Sequence, residues 1–452
     1  MSTLASAADF MHGQLHGADH PFDGVSTDTR SLREGELFVA LQGPNFDGCD
    51  YVGQARDKGA AGAVVPVLVD EEIPQIAVED SKHALGLLGA AWRQQLSPVV
   101  VGITGSNGKT TLKELTAACL ATTAPTLATH GNLNNDIGMP LMLTRIEKHH
   151  RFAVLEMGAN HAGEIAYLTA LARPDIVAIT NAGAAHLEGF GSLDGVARAK
   201  GEILCGETRP KVAILNADDR YFDYWSALVE DTQLITFGID GDADVHARNI
   251  EAEAGFSSFA LHLPGGEIDV VLPLPGRHNV RNACAAAAIA IAGGIDTEDI
   301  KSALESVQPV EGRLRRVDGI DGATIYDDSY NANPLSVVAA AEFLASLPGE
   351  NILVLGDMGE LGDDAARMHA ETGSQVREAG ISRLLATGAL SRNTVEGFGD
   401  GASWHADIDG ITARLKSELH VDANVLVKGS RFMRMERVVE ALREPQAENE
   451  EA

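Results

Sequence analysis

The stretch Val99-Val-Val-Gly102-Ile-Thr-Gly105-Ser-Asn-Gly108-Lys109-Thr110-Thr111 decides the fold. Its first half is a continuous apolar run, which reads as a strand buried on both faces of a parallel sheet. Leu112 to Leu120 then carries helical spacing, so strand, glycine-rich loop and helix occur in that order. Backbone N–H groups of such a loop wrap phosphate oxygens at the helix N-terminus; Lys109 neutralises the β- and γ-phosphates, and the Thr110 hydroxyl is a Mg²⁺ ligand. Gly105, Ser106, Asn107, Gly108, Lys109, Thr110 and Thr111 are therefore the candidate ATP-phosphate site. Five residues rather than four separate Gly102 from Gly108, a departure from the general phosphate-binding loop. A glycine turn without a ligand is the plainer reading, and the order of the flanking elements argues against it.

Working outward, Ala84 to Leu96 is a helical segment leading through Pro98 into the decisive strand. Downstream, Phe152 to Leu155, Ile176 to Thr180 and Val212 to Leu215 are strand candidates separated by helical stretches, the alternation of a doubly wound sheet. Upstream, the short runs Glu36 to Leu41, Ala63 to Pro66 and Gln75 to Val78 alternate with turns at Gly43-Pro44 and Asp47-Gly48. Near the C-terminus Thr324 to Asp327, Ile352 to Leu355, Arg383 to Thr387 and Val425 to Val427 repeat the strand pattern. The expected fold is α/β in three domains: 1–80, a small α/β unit; 81–312, a central ATP-binding unit; and 313–452, a Rossmann-like unit. The tail Glu444 to Ala452 is acidic and reads as disordered.

With 65 acidic against 35 basic residues the formal net charge is -30, so the bulk field repels nucleic acid and anionic lipid. Anionic substrates must be caught by local devices. Cys49, Cys119, Cys205 and Cys284 lie far apart with no metal-binding spacing, which fits a reducing compartment. Met1 to Phe10 lacks the basic-then-apolar pattern of a leader, and the Ala-rich run Ala283 to Ala292 is too short to span a bilayer. These features predict a cytoplasmic protein with no membrane or nucleic-acid partner.

Three further residues carry chemistry. Glu156 stands at the carboxyl end of an apolar strand, where ligands collect in an open α/β sheet, and is a metal candidate. His186 follows the next strand on a loop at the same sheet edge; a lone histidine is more often structural than a ligand. Lys200 falls among small and apolar residues on a helical stretch, where a solvated lysine is the ordinary reading. Arg198 and Lys200 are two apart and so point to different faces, which allows Lys200 to turn inward while Arg198 stays in solvent.

Together these elements resemble the Mur ligase family. Its form of the phosphate loop, Thr104-Gly-Ser-Asn-Gly-Lys-Thr-Thr111, accounts for the odd spacing. Further matches are Gly131-Asn-Leu-Asn134-Asn135-Asp-Ile-Gly138-Met-Pro140, Pro275-Gly-Arg-His278-Asn279-Val-Arg-Asn282, Glu311-Gly-Arg313 and Asp327-Asp328-Ser-Tyr330-Asn331-Ala-Asn333-Pro334. Ser26-Thr-Asp-Thr29-Arg30 looks like the family's UDP-sugar motif, with Thr29 where serine is more usual. Gly356-Asp-Met-Gly-Glu-Leu-Gly362 and Val427-Lys428-Gly-Ser430-Arg431 point to the branch that takes D-alanyl-D-alanine.

The resemblance implies an ATP-dependent, monomeric ligase that joins D-alanyl-D-alanine to a UDP-N-acetylmuramoyl tripeptide through an acyl phosphate, in cell-wall precursor synthesis. It assigns Mg²⁺ to Thr110 and Glu156, a second Mg²⁺ to His186, and a CO₂-derived carbamate to Lys200, so that Lys109, Glu156, His186 and Lys200 form the catalytic set. Asn279, Asn282, Arg313 and Asp328 would hold the nucleotide, with His278 supporting. Thr29 and Arg30 would hold the UDP-sugar; Asn134, Asn135, Tyr330, Asn331 and Asn333 would face substrate; and Lys428, Ser430 and Arg431 would take the dipeptide carboxylate. Another Mur ligase or a folylpolyglutamate synthetase remains the neighbouring alternative, and a nucleotide-dependent switch the alternative from another class. Sites split between domains further predict closure on substrate binding.

Overall fold

The decisive strand forms as Val99–Thr104, at the interior of a nine-stranded sheet. The computed structural model describes residues 3–444; of the tail read as disordered, all but Glu444 lies outside the described residues. From one edge the sheet runs Gly266–Leu272, Ser257–Leu263, Val245–Ala252, Gln233–Gly238, Val212–Asn216, Ile176–Ile179, Val99–Thr104, Phe152–Glu156, Thr126–Ala128. The pairings from Val245–Ala252 to Thr126–Ala128 are parallel, and the two outermost pairings at the other edge are antiparallel. Val99–Thr104 pairs with Phe152–Glu156 on one side and Ile176–Ile179 on the other, so successive crossovers leave it in opposite directions. That reversal opens a crevice beyond the strands' carboxyl ends, where Gly105 to Gly108 and Glu156 emerge.

Both faces of this sheet are covered. Val101, Ile103 and Val154 point into one core with Leu112 and Leu115 of helix Lys109–Ala121, while Val100, Ala153 and Leu155 point into the other. Truncating a fully buried Ile103 to alanine would cost about 2–5 kcal/mol. The Ala-rich run lies within helix Arg277–Ala292, where Ala283 to Ala290 are buried against the sheet and helix Lys109–Ala121. Small side chains allow that close approach, and no helix among the described residues is long and apolar enough to cross a membrane.

Two smaller parallel sheets flank the central one. The first is ordered Gln14–His16, Gln75–Ala77, Gly62–Val65, Glu36–Val39, Gly24–Ser26, with only Gln14–His16 antiparallel. Helix Ser81–Gln94 joins it to the centre: Ala84, Leu85 and Leu88 belong to the first core and Ala90 to the central one. The second is ordered Arg315–Asp318, Thr324–Asp328, Ala423–Lys428, Glu350–Leu355, Arg383–Thr387, Ala402–His405, with only Arg315–Asp318 antiparallel.

Candidate active site

Gly105 and Gly108 take φ of 144° and 82°, values that L side chains rarely adopt. A Cβ at Gly105 would collide with Thr180 Oγ1, and one at Gly108 would stand 2.6 Å from Asn282 Oδ1. The loop is clamped from the following strand: Thr180 Oγ1 donates to Asn107 O at 2.6 Å, Asn107 N to Asn181 Oδ1 at 3.0 Å, and Gly183 N to Ser106 Oγ at 2.9 Å. These contacts hold the loop's N–H groups at the start of helix Lys109–Ala121, where the macrodipole favours an anion. Lys109 Nζ rests on Gly105 O at 2.6 Å and Ser106 O at 3.3 Å. Burial draws its pKa below the ordinary lysine value, with Glu156 opposing that shift and Arg313 adding to it.

Glu156 is 3% exposed and accepts from the Thr110 hydroxyl at 2.9 Å and the Asn134 amide at 2.7 Å. Both partners are neutral, so the carboxylate's charge is left for a cation. Among the described residues no three His, Cys, Asp or Glu side chains form a ready-made metal cage. One carboxylate and one hydroxyl beside a phosphate cradle nevertheless fit Mg²⁺, which usually takes its remaining oxygens from substrate phosphates and water.

His186 lines the same cleft as Glu156 and Lys109. Lys200 is 2% exposed while Arg198 is exposed, so the two faces separate as their spacing predicts. Lys200 Nζ sits 5.1 Å from the Phe190 ring centroid and has no hydrogen bond or ion pair among the described residues. Burial, with Lys109 adding repulsion, pushes its pKa down to about 7.

A second cleft adjoins the first at Asn107 to Thr110 and is lined by Asn279, Asn282, Arg313, Asp328 and Lys428. Asn279 is fixed by donating to Pro275 O at 2.8 Å. His278 is kept neutral, its pKa pushed to about 4 by burial. Arg281, Thr180 and Phe237 also line this cleft and were not among the candidates. Arg281 stood two residues from Asn279 in the same motif, and it is tied to Asp218 and Asp240 at 3.2 and 2.8 Å.

The third sheet's unit closes the cleft from above. Asn333 and Asn107 exchange amide hydrogen bonds, at 2.7 Å and 3.4 Å, while Asn333 also caps helix Pro334–Ala345. Arg313 Nη2 reaches Thr110 Oγ1 at 3.5 Å and its guanidinium stacks 4.1 Å from the Tyr330 ring centroid. Asn135, Tyr330, Asn331 and Asn333 line the first cleft with Asn134. Asn135 also accepts from the N–H of Gly138, the first residue of helix Gly138–Thr144, at 2.8 Å. Lys428 is buried and pairs with Asp328 at 2.6 Å, which spends much of its charge within the protein.

Besides Gly105 and the buried Lys200, four candidates lie outside the lining of both clefts. Thr29 is buried against Gln54 at 2.6 Å, and Arg30 is exposed and forked onto Asp28. Ser430 accepts from Gly359 N at 2.8 Å, and Arg431 is exposed beside Glu436 at 3.1 Å.

Three domain families cover most of the chain: Mur ligase family, catalytic domain, at residues 21–93; Mur ligase middle domain at 103–290; and Mur ligase, glutamate ligase domain, at 312–431. The UDP-N-acetylmuramoyl-tripeptide–D-alanyl-D-alanine ligase of Escherichia coli is 44% identical over 98% of both chains. Among solved structures, MurF from Acinetobacter baumannii superposes with a TM-score of 0.90 at 37% identity, covering 97% of this chain and 98% of that one. MurF ligase from Thermotoga maritima in complex with ADP gives 0.82 at 29% identity, over 92% and 96%.

Proposed function

The chain belongs to the Mur ligase family, and on that premise we propose that it is the ATP-dependent ligase that adds D-alanyl-D-alanine to a UDP-N-acetylmuramoyl tripeptide, making the pentapeptide precursor of peptidoglycan. The observation that carries the reading is the junction at Thr110. Its hydroxyl meets the buried Glu156 carboxylate from the central unit and Arg313 from beyond the hinge, so a phosphoryl-transfer site and an interdomain cleft share one atom.

Amide formation from a carboxylate and an amine in water is uphill. The tripeptide carboxylate oxygen attacks the γ-phosphorus of ATP, ADP leaves, and an acyl phosphate forms. The dipeptide amine, after losing a proton, attacks the acyl carbon; phosphate departs with the original carboxylate oxygen. Phosphoryl transfer asks the protein mainly for position and charge. Lys109 and the loop N–H groups hold the phosphates, while Asn279, Asn282, Arg313 and Asp328 hold the rest of the nucleotide. Thr110 and Glu156 would hold one Mg²⁺ and His186 a second, which when bound would offset phosphate and carboxylate charge. Asn134, Asn135, Tyr330, Asn331 and Asn333 face the tripeptide end, Thr29 and Arg30 take the UDP-sugar, and Lys428, Ser430 and Arg431 the dipeptide carboxylate. Asn107, Asn333 and Arg313 close the units over the acyl phosphate and keep water out.

Lys200 is the carbamate carrier in this reading. An amine with a pKa near 7 is substantially neutral at neutral pH. The lone pair of that neutral amine can bond the carbon of CO₂ as the nitrogen releases one proton, converting a neutral group into a carbamate anion that would suit a hard metal ion. The free cysteines and acidic surface support a cytoplasmic setting.

The test is substrate pairing. With ATP, UDP-muramoyl tripeptide and D-alanyl-D-alanine, phosphate release should require all three. Folate plus glutamate should release none, and release with the folate pair alone would overturn the assignment.

A further inference from the structure

Glu360 takes no part in the roles assigned above, yet it makes a direct contact with a candidate metal ligand from another unit of the fold. Its Oε2 lies 2.5 Å from His186 Nδ1, at ion-pair distance though off the line of an ideal hydrogen bond. The backbone repeats the contact: Glu188 N donates to Glu360 O at 3.3 Å. His186 and Glu360 both sit in the left-handed region, at φ of 54° and 60°. For residues with a side chain that conformation is held only where the surroundings enforce it, and two such residues meeting at one contact mark a built junction rather than a chance approach.

We propose that Glu360 is a positioning residue for the divalent-cation site: it engages Nδ1 of His186 and leaves the Nε2 lone pair free for the cation, and it can do so only when the C-terminal unit is closed on the central one. The proposal rests on the reading of His186 as a metal ligand. Imidazoles that bind metals usually give their other N–H to a carboxylate, which fixes tautomer and ring orientation. Here that carboxylate comes from the far side of the cleft, following strand Glu350–Leu355, whereas His186 follows strand Ile176–Ile179. Closure and completion of the metal site are then one event. By linkage, a cation bound at His186 favours the closed arrangement as much as closure favours the cation.

The experiment measures Mn²⁺ binding to the full chain in the presence of ADP, by the spin-resonance signal of free Mn²⁺, for wild type, Glu360→Ala, Glu360→Gln, His186→Ala and the double variant Glu360→Ala/His186→Ala. Glu360→Ala should weaken one class of Mn²⁺ sites about 10- to 100-fold. Glu360→Gln should recover part of the loss, because its amide oxygen still accepts from Nδ1–H. In the His186→Ala background Glu360→Ala should add nothing. Unchanged Mn²⁺ binding in Glu360→Ala, or additive losses in the double variant, would overturn the proposal while leaving the ligase reading intact. Unchanged binding in His186→Ala would instead overturn the metal role of His186 and the proposal with it. A simple interdomain latch would show as altered small-angle scattering with wild-type Mn²⁺ affinity, which also counts against it.

Discussion

Two lysines lie buried in different units, Lys428 at the cleft and Lys200 within the central unit, and each handles its charge differently. Lys428, on the C-terminal unit, is 3% exposed and balanced by Asp328 at 2.6 Å and Asn331 O at 2.9 Å. Lys200, on the central unit, is 2% exposed, lies against the Phe190 ring and makes no direct ion pair; desolvation and Lys109 repulsion outweigh the more distant pull of Glu202 and Glu164. A buried ammonium without a partner is too costly to be a resting structural feature, since burial without compensation shifts the group to its neutral form instead. Lys428 is thus a neutralised, fixed cation, whereas the surroundings of Lys200 favour the neutral amine that the proposed carbamate requires. Lys109 is the third case, a cation on its own loop's carbonyls, placed for phosphate.

The largest effect should come from Lys109→Ala, with kcat/KM falling on the order of 10³-fold and thermal unfolding unchanged, because the side chain stabilises transferred charge rather than a core. Wild-type turnover would remove the phosphate-loop assignment.

Lys200→Ala should come next, losing most activity and regaining part of it with formate or acetate, small anions that fill the space left. Lys200→Arg should be equally inactive and not rescued, because guanidinium retains the wrong sign and fills the site. Ordinary activity in Lys200→Arg would make Lys200 a plain cation and erase the contrast with Lys428.

Stability should separate the pair in the opposite order. Lys428→Met leaves the half-buried Asp328 without its counter-charge and should destabilise the C-terminal unit, by less than the about 3–5 kcal/mol of a fully buried pair. Lys200→Met removes a partnerless amine and should be neutral or stabilising at pH 7 in CO₂-free buffer. Denaturant unfolding of both variants reads this directly, and equal losses would contradict the comparison.

How much of this was legible follows the same physics. The inner parallel strands were readable because strands buried on both faces are continuous apolar runs, as in Val99 to Ile103 and Phe152 to Leu155, whereas the parallel strands Thr126–Ala128 and Gln233–Gly238, only partly buried, were missed. The antiparallel edge escaped notice: Val245–Ala252 carries Arg248, Asn249 and Glu251 on a half-covered surface, and Ser257–Leu263 begins with two serines. Glu156 and the glycine loop could be placed because sheet topology brings strand carboxyl ends together. The Asn107–Asn333 exchange and the Glu360 contact with His186 could not, since they join segments more than 170 residues apart through side chains that no periodicity marks. Arg198 and Lys200 were separable by helical geometry alone, whereas the missing counter-charge at Lys200 needed coordinates.

The smallest effect concerns His278. His278 is half-buried in the cleft wall, where desolvation holds its pKa down at about 4 against an ordinary 6.5, so between those values the unfolded chain binds a proton that the native chain does not. Its contribution to stability is therefore present above about pH 6.5 and lost as pH falls toward 4. His278→Gln should lower the melting temperature slightly at pH 7 and flatten its fall across that window. A parallel fall in both proteins would show that His278 is freely protonated.

The central claim, that one carboxylate is activated by ATP and then captured by an amine in this cleft, is tested most directly by isotope transfer. UDP-muramoyl tripeptide labelled with ¹⁸O in its reacting carboxylate is turned over with ATP and D-alanyl-D-alanine, and the released phosphate is analysed by mass spectrometry. An acyl phosphate requires one labelled oxygen in each phosphate formed, with none in Lys109→Ala beyond its residual turnover. Unlabelled phosphate accompanying normal amide formation would contradict the account.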